Sequence, residues 1–509
     1  MLSEASWYGE DSTAGIPLAM AQLDTILPES KCRITQIFRI TLTVYNMTRW
    51  IRCGIVLLTA CGFAATVASA RAADSSIGEH TLANGMRVIV KTDRRAPVVV
   101  SMVWYKVGSV DEVNGVTGVA HVLEHMLFKG TKTNPKADFS KLVAAAGGRD
   151  NAFTSRDYTG YFQTVQKSQL PLMLKMEADR MVNALIAPEE FTKEIKVVME
   201  ERRMRTDDRA RSVVYEQLMA TALRAHPYRI PTVGWMNDLQ NMTAGDARDF
   251  YDKWYAPNNA TLVVVGDVSH DEVFKLAQEH FGPHKNRLLP QRKPQDEPPQ
   301  TGIRRITVKA PAEQPYFVMA YRAPKLVDPE KDWEPYALDM LASVLDGNGA
   351  SRFSRELIRG TQIASSVDAS YDGMGRGPAF FYFSGVPTAG KTLEQLEQAV
   401  RNEVKKIIDN GVTDEELKRI KAQVIASRVY ERDSMFFQAR QIGSMETAGY
   451  SYKMIDLMTE KFKAVTAEQV REVAQKYLLD DTLTVAYLDP QPVSASKPAA
   501  PVAGVRHAQ

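Results

Sequence analysis

Cysteine is scarce in this chain, and its position says more than its number. The 509 residues include three, Cys32, Cys53 and Cys61, all near the N-terminus. The long remainder has none, which excludes structural disulfides and thiolate metal ligands there, so any metal must be held by His, Asp or Glu. An excess of charge is missing too: 63 Lys and Arg stand against 61 Asp and Glu, a formal net charge of +2, with no long run of one sign. Nucleic acid is therefore not an expected partner, and nothing in the charge favours an anionic membrane. Long apolar runs are also rare. The clearest, from Cys53 to about Val67, is short for a membrane-spanning helix.

The flanks of that run explain it. From Met47 the chain reads MTRWIRCGIVLLTACGFAATVASARAAD, with Arg49 and Arg52 before the apolar stretch and Ala68-Ser69-Ala70-Arg71-Ala72 after it. A positive flank, a short apolar core and an A-x-A ending describe a secretory signal peptide over 47–73, cleaved after Ala70, Ala72 or Ala73. The expected destination is the periplasm or the exterior. Met47 is then expected to be the true start and residues 1–46 a gene-model extension. Leu58-Thr59-Ala60-Cys61 also resembles a bacterial lipoprotein box. Membrane association is expected only if Cys61 is lipidated or the signal stays uncleaved.

What remains is too long for one hydrophobic core, and the full chain's 44% hydrophobic and 24% charged residues are those of a globular protein. Strand patterns at Glu79–Lys91, Ala96–Gly108, Ala152–Gln166 and Ala260–Gly266 alternate with helical ones at Thr117–Lys129, Phe139–Ala146, Ser168–Asn183, Pro188–Thr206, Arg211–Ala225 and Asp271–Gly282. A polar, proline-rich stretch, NRLLPQRKPQDEPPQTG, then interrupts the pattern as a linker over 286–302. A similar order follows: strands at Arg304–Lys309, Tyr316–Arg322, Ile363–Tyr371, Ala379–Val386 and Thr482–Leu488, with helices at Trp333–Leu345, Leu393–Asn410, Thr413–Glu431 and Thr466–Tyr477. The fold class expected is α+β, with two homologous domains over 74–285 and 303–489, each an antiparallel-rich sheet covered by helices. Residues 490–509, rich in Pro, Ala and Ser, are expected to be a disordered tail.

Chemistry concentrates in Gly118-Val119-Ala120-His121-Val122-Leu123-Glu124-His125-Met126. On a helix, His121 and His125 lie one turn apart and Glu124 shares their face. Two such imidazoles suit a zinc ion, and the adjacent carboxylate can take a proton from water activated at the metal. This H-x-x-E-H order is the inverted form of the commoner H-E-x-x-H zinc-protease motif. The plainer alternative is a pair of polar helix residues with a salt-bridging glutamate. A catalytic zinc site needs a third ligand, and no other histidine has a helical partner. The following helix offers Glu194, Glu200 and Glu201. Glu194 and Glu201 fall on one stripe while Glu200 points away, which suits Glu201 as ligand and Glu194 as its support; a solvated charged face is the competing reading.

HVLEHMLFKGT, followed later by VVMEERRMRTDD, resembles the pitrilysin, insulin-degrading enzyme and mitochondrial processing peptidase family. GGRDNAFTSRDYTGYF, HPYRIPTVGWMNDL and WYAPNNATLVVVGDV extend the resemblance, which runs from about Glu79 to Leu488. It implies one zinc ion per chain held by His121, His125 and Glu201, with Glu124 as base and Glu194 as supporting acid. It also implies two α+β halves forming a clamshell around an extended peptide, with Asn151, Ala152, Phe153 and Thr154 in an edge strand that pairs with substrate backbone. The activity implied is zinc metalloendopeptidase action on extended peptides or small unfolded polypeptides.

One part of the family pattern is missing. Active single-chain members carry an arginine and a tyrosine in the second half that polarise the scissile carbonyl and stabilise the oxyanion. The matching positions here are Ile358 and Ser365. The resemblance therefore implies a heterodimer with a homologous partner that lacks H-x-x-E-H and carries that pair. Arg355 or Arg359 serving instead is the competing expectation. A non-catalytic scaffold or peptide-binding subunit of the same fold is the alternative function.

Overall fold

The computed structural model describes residues 77–136 and 138–493. The expected extension, the signal peptide with Cys61, and positions 494–509 of the expected tail lie outside the described residues. Six strands form a first sheet: β1 (Ile77–Thr81), β2 (Arg87–Thr92), β3 (Val98–Tyr105), β4 (Arg149–Thr154), β5 (Thr159–Gln166) and β6 (Ala260–Gly266). Five form a second: β7 (Arg304–Pro311), β8 (Tyr316–Ala323), β9 (Ala364–Asp372), β10 (Ala379–Pro387) and β11 (Leu483–Gln491). The first half carries helices α1 (Val119–Met126), α2 (Phe139–Ala145), α3 (Leu170–Asn183), α4 (Pro188–Arg202), α5 (Ala210–Ala222), α6 (Met236–Asn241), α7 (Ala244–Trp254) and α8 (His270–His280). The second carries α9 (Glu334–Asp346), α10 (Leu393–Asn410), α11 (Asp414–Glu431), α12 (Met435–Ala448), α13 (Met454–Ala464) and α14 (Ala467–Tyr477).

The spatial orders are β1-β2-β6-β3-β5-β4 and β7-β11-β8-β10-β9. With β1 set aside they are the same order, and in each the first strand of the half pairs in parallel with the last while the other pairings are antiparallel. The repeated element order in sequence is thus a repeated topology. The fold is α+β, as expected.

Alternation along each strand sends side chains to two faces. On β3, Val99, Val103 and Tyr105 enter a core shared with α1, α3 and α7. Val100, Met102 and Trp104 point the other way, where Ala439 and Ile442 of α12 close a smaller cluster over Val263 and Val265. That covering helix belongs to the second half. The exchange is mutual, since α5 of the first half packs on β7, β8 and β11 of the second sheet. There Arg211 lies 4.9 Å from the Tyr316 ring centroid, Tyr215 and Tyr382 are 6.2 Å apart, and Arg304 donates to the Thr221 and Ala222 carbonyls at 2.7 and 3.0 Å. Both faces of each sheet are covered, which is why strands such as ATLVVVG and AFFYFSGVP run apolar without a polar alternate.

Several expectations need correction. Glu79–Lys91 is two antiparallel strands, because Asn84-Gly85 makes the turn between them. The helix expected over Pro188–Thr206 leaves α geometry at Arg203 and ends in a π-helical turn, Arg203–Asp207. Apart from these corrections, the segment expected as a linker has no helix or strand and is tethered: Glu297 accepts the backbone N–H groups of Arg224, Ala225 and His226 at 2.7–2.9 Å, and Arg292 bonds Asp111 at 2.6 Å. Helix α12 escaped the pattern search because eight of its residues, from Gln438 to Thr447, are buried, leaving no clean polar stripe.

At Gly443 of α12 an added Cβ would fall inside the Trp104 indole. Gly443→Ala gains helix propensity of about 1 kcal/mol, yet the overlap with a fully buried ring opposes it by about 1–3 kcal/mol. The expected outcome is a lower melting temperature in differential scanning fluorimetry. An unchanged or raised value would show that the two halves do not approach this closely.

Candidate metal centre

Helix α1 is short, and all eight of its residues are buried. The backbone N–H groups at its N-terminal end have no partners within the helix, and Glu112 meets two of them, accepting from Gly118 at 2.7 Å and Ala120 at 2.9 Å. Burial pushes the Glu112 carboxyl up to about 8, although both backbone donors favour its charged form. Asp238 fixes the approach to the helix by accepting from Gly115 N, Thr117 N and Thr117 Oγ1 at 3.1, 3.2 and 2.6 Å. Gly118 sits at φ +88°, where a side chain would strike the Val233 carbonyl, so glycine is required there.

On this anchored turn the structure brings together His121, Glu124 and His125 from α1 with Glu194 and Glu201 from α4, all of them buried. Nδ1 of His125 is 2.9 Å from Glu194 Oε1, whose second oxygen lies 2.5 Å from Lys129 Nζ. That contact directs Nε2 of His125 toward Glu201 Oε2, at 3.3 Å, while His121 Nε2 is 3.6 Å from Glu201 Oε1. Glu200, by contrast, is partly exposed and pairs with Arg203 at 2.7 Å.

These donors fit a zinc ion. One ligand atom from each of His121, His125 and Glu201 can be chosen so that all lie within 4.8 Å of one another. Tetrahedral zinc with bonds of about 2.0–2.2 Å places its ligand atoms roughly 3.3–3.6 Å apart, near the nitrogen–oxygen separations found here. The electrostatics also favour a cation. Burial alone would lower the His125 imidazole, but Glu194 and Glu201 raise it to about 9. Burial would raise Glu201, but His125, His121 and Arg205 hold it down at about 2. Glu124 is shifted upward, by burial first, with His125 and Thr154 opposing.

Asn151, Ala152, Phe153 and Thr154 lie on β4, which ends the sheet and pairs only with β5 among the described residues. Ala152 enters the core and Phe153 packs against Trp104 with ring centroids 5.0 Å apart. Thr154 reaches the centre, donating to Glu124 Oε2 at 2.5 Å. Ile358 packs on the second core, Ser365 Oγ donates to Pro387 O at 3.2 Å, and Arg355 pairs with Glu356 at 2.7 Å. Glu112, Lys129 and Arg205 were missed from sequence. Lys129 lies i+4 from His125, and Arg205, i+4 from Glu201, pairs with it at 2.7 Å, so helical spacing offered a signal for both. Glu112 lies too far before the helix for any capping pattern.

Residues 87–234 match the family model described as insulinase, peptidase family M16, and residues 241–424 match the one described as peptidase M16 inactive domain. Zinc protease PqqE of Helicobacter pylori is 30% identical over 433 residues, which cover 84% of this chain and 96% of that protein. A crystal structure of a protease from Helicobacter pylori is similar with a TM-score of 0.77 at 30% identity, covering 82% of this chain and 100% of that one. The periplasmic protease PqqL from Escherichia coli shares the fold, with a TM-score of 0.71 at 19% identity, covering 83% of this chain and 49% of that chain.

Two measurements test the centre. Glu201→Gln is expected to abolish stoichiometric zinc binding while Glu200→Gln leaves it intact, and Glu194→Gln to weaken affinity about 10–100-fold, all read by competition with a chromophoric chelator. Glu112→Ala leaves two buried N–H groups unpaired at about 1–3 kcal/mol each, so its melting temperature is expected to fall by several degrees. Equal zinc affinity in the Glu200 and Glu201 variants would remove Glu201 from the ligand set.

Proposed function

The chain belongs to peptidase family M16, the insulinase family, and from that premise we propose that it is a zinc metalloendopeptidase acting on extended peptides or small unfolded polypeptides. The observation that carries this reading is the convergence of His121, His125 and Glu201 into one buried donor set with Glu124 beside it. Zinc, when bound by these three, supplies Lewis acidity that activates water and polarises a peptide carbonyl near neutral pH. The protein's own groups do the rest. Glu124 takes the proton from the attacking water and returns it to the leaving amine, as general base and then acid. Thr154 holds Oε2 of Glu124, and Glu194 holds the His125 ring with Nε2 turned inward. The outer edge of β4, which pairs with no second strand among the described residues, captures the substrate main chain, so selection rests on an extended backbone more than on side-chain sequence.

The proposal extends to a homologous partner subunit. Ile358 and Ser365 offer neither the charge nor the phenol needed to stabilise an oxyanion, and Tyr371 is committed to the Pro324 carbonyl. PqqL, of which the match covers 49%, is long enough to hold a second body of similar size, the arrangement that the proposal assigns here to a separate subunit. The periplasm or exterior is the proposed location, from the signal pattern and from the likeness to a periplasmic protein; no helix among the described residues is long and apolar enough to cross a membrane. Retention of the full donor set weighs against a purely non-catalytic scaffold.

A quenched peptide library tests both parts. With the partner co-expressed, Glu124→Gln is expected to cut turnover about 100- to 10,000-fold with zinc content unchanged. Unaltered turnover would sink the mechanism, and full activity from the isolated chain would sink the heterodimer.

A further inference from the structure

The second half reaches the first through a loop that none of the motifs described above includes. Between β9 and β10 the chain reads Gly373-Met374-Gly375-Arg376-Gly377-Pro378. This loop leaves its own domain and packs on the first half. Gly377 N bonds Tyr228 Oη at 3.0 Å, and a Cβ on Gly377 would lie only 2.6 Å from the Tyr228 ring. Arg376 is held most firmly. Its guanidinium grips Asp111 in bidentate fashion at 2.8 and 2.9 Å, its backbone N–H bonds Asp157 Oδ2 at 2.9 Å, and Nη1 reaches the Asp157 carbonyl at 3.3 Å. The Asp111 side chain is 3% exposed and that of Arg376 16%, so solvent screens this pair little.

Both acids stand next to parts of the centre. Asp111 directly precedes Glu112, the residue that satisfies the N-terminus of α1. Asp157 lies in the turn that follows β4, three residues after Thr154, and its Oδ1 accepts from Tyr228 Oη at 2.5 Å. The two segments are stitched together as well, with Ser109 N and Val110 N donating to the carbonyls of Ser155 and Arg156 at 3.2 and 2.9 Å. Arg376 thus touches the segment that fixes the helix bearing His121, Glu124 and His125, and the segment that fixes the edge strand and the hydroxyl on Glu124.

We propose that Arg376 is a positioning residue for peptide hydrolysis, by which the second half sets the β4 edge strand and the Thr154–Glu124 contact against the metal-bearing helix. This rests on the proposed peptidase function for its consequence, though not for its structural core. Asp111 is poised for the role: burial would raise its carboxyl, but Arg376 and Arg292 outweigh burial and keep it below the usual range, hence charged. Nothing in the arrangement requires Arg376 to touch substrate.

The test uses the full-length chain loaded with zinc, with the homologous subunit present for turnover. Arg305→Ala is the control, since Arg305 makes an equivalent bidentate pair with Glu397, at 2.8 and 2.7 Å, far along the sequence from the centre and within the second half. In Arg376→Ala, hydrogen–deuterium exchange is expected to rise in residues 109–120 and 149–158 but not in β8 or β10, with zinc still bound one per chain. Turnover is expected to fall at least about tenfold, the scale of a small misplacement of reacting groups, and more in kcat than in zinc affinity. Arg376→Lys, which keeps the charge without the fork, is expected to recover part of it. Unchanged exchange in both segments, or a loss of turnover no larger than in Arg305→Ala, would overturn the proposal. Absence of turnover in the wild-type complex would count against the peptidase reading instead and leave the exchange result to decide this one.

Discussion

Burying five ionisable side chains, His121, Glu124, His125, Glu194 and Glu201, in one place is the constraint around which the first half is organised. A buried charge is tolerable only when it is paired or hydrogen-bonded, or binds a metal. Two helices, α1 and α4, must therefore meet with their polar stripes facing each other inside an otherwise apolar core. Each carboxylate has an assigned counterpart: Glu194 faces His125 and Lys129, Glu201 faces the imidazoles and Arg205, and Glu124 faces Thr154. Only Glu124 has a hydroxyl instead of a cation as its closest partner. Burial shifts it upward, which suits the proton exchange proposed for it.

A polar cluster of this kind holds its geometry only if the elements around it are rigid. The first sheet provides that through its two covered faces, one closed by its own helices and one by α12 of the second half. The reciprocal placement of α5 on the second sheet makes each half complete the other's core. A family model described as an inactive domain covers most of the second half, yet that half is not inert in this sense. Its helix seals the reverse face of β3 and β6, and its glycine-rich loop grips the segments on either side of the centre.

How much of this could be read from the sequence depended on whether the governing interaction was local. His121, Glu124 and His125 lie within one helical turn, and Glu194 and Glu201 two turns apart, so a period of 3.6 residues was enough to group them. Strands ATLVVVG and AFFYFSGVP announced themselves by β-branched and aromatic runs. What escaped was set by distant partners. Helix α12 shows no amphipathic stripe because it is enclosed on several sides by the first sheet and its own domain. Glu112 became visible only when the chain folded back to place it under the first turn of α1. Nothing local marks the loop around Arg376, since Asp111 and Asp157 lie more than 200 positions away in sequence.

These two classes of residue divide the labour of the proposed enzyme. Local motifs carry the chemistry, because ligand and base must be fixed relative to one another within tenths of an ångström, and a helix turn does this at little entropic cost. Long-range contacts carry the alignment of that chemistry with the substrate strand, because β4 and α1 come from different stretches of chain and need a third body to hold them in register. In this chain the second half occupies that third position, while Ile358 and Ser365, the positions matched to the family's arginine and tyrosine, carry neither group. A second half that aligns the centre without that pair is consistent with a duplication whose copies have diverged in role. In the proposed heterodimer the missing electrostatic work falls to the partner subunit, whose surface closes over the edge of β4.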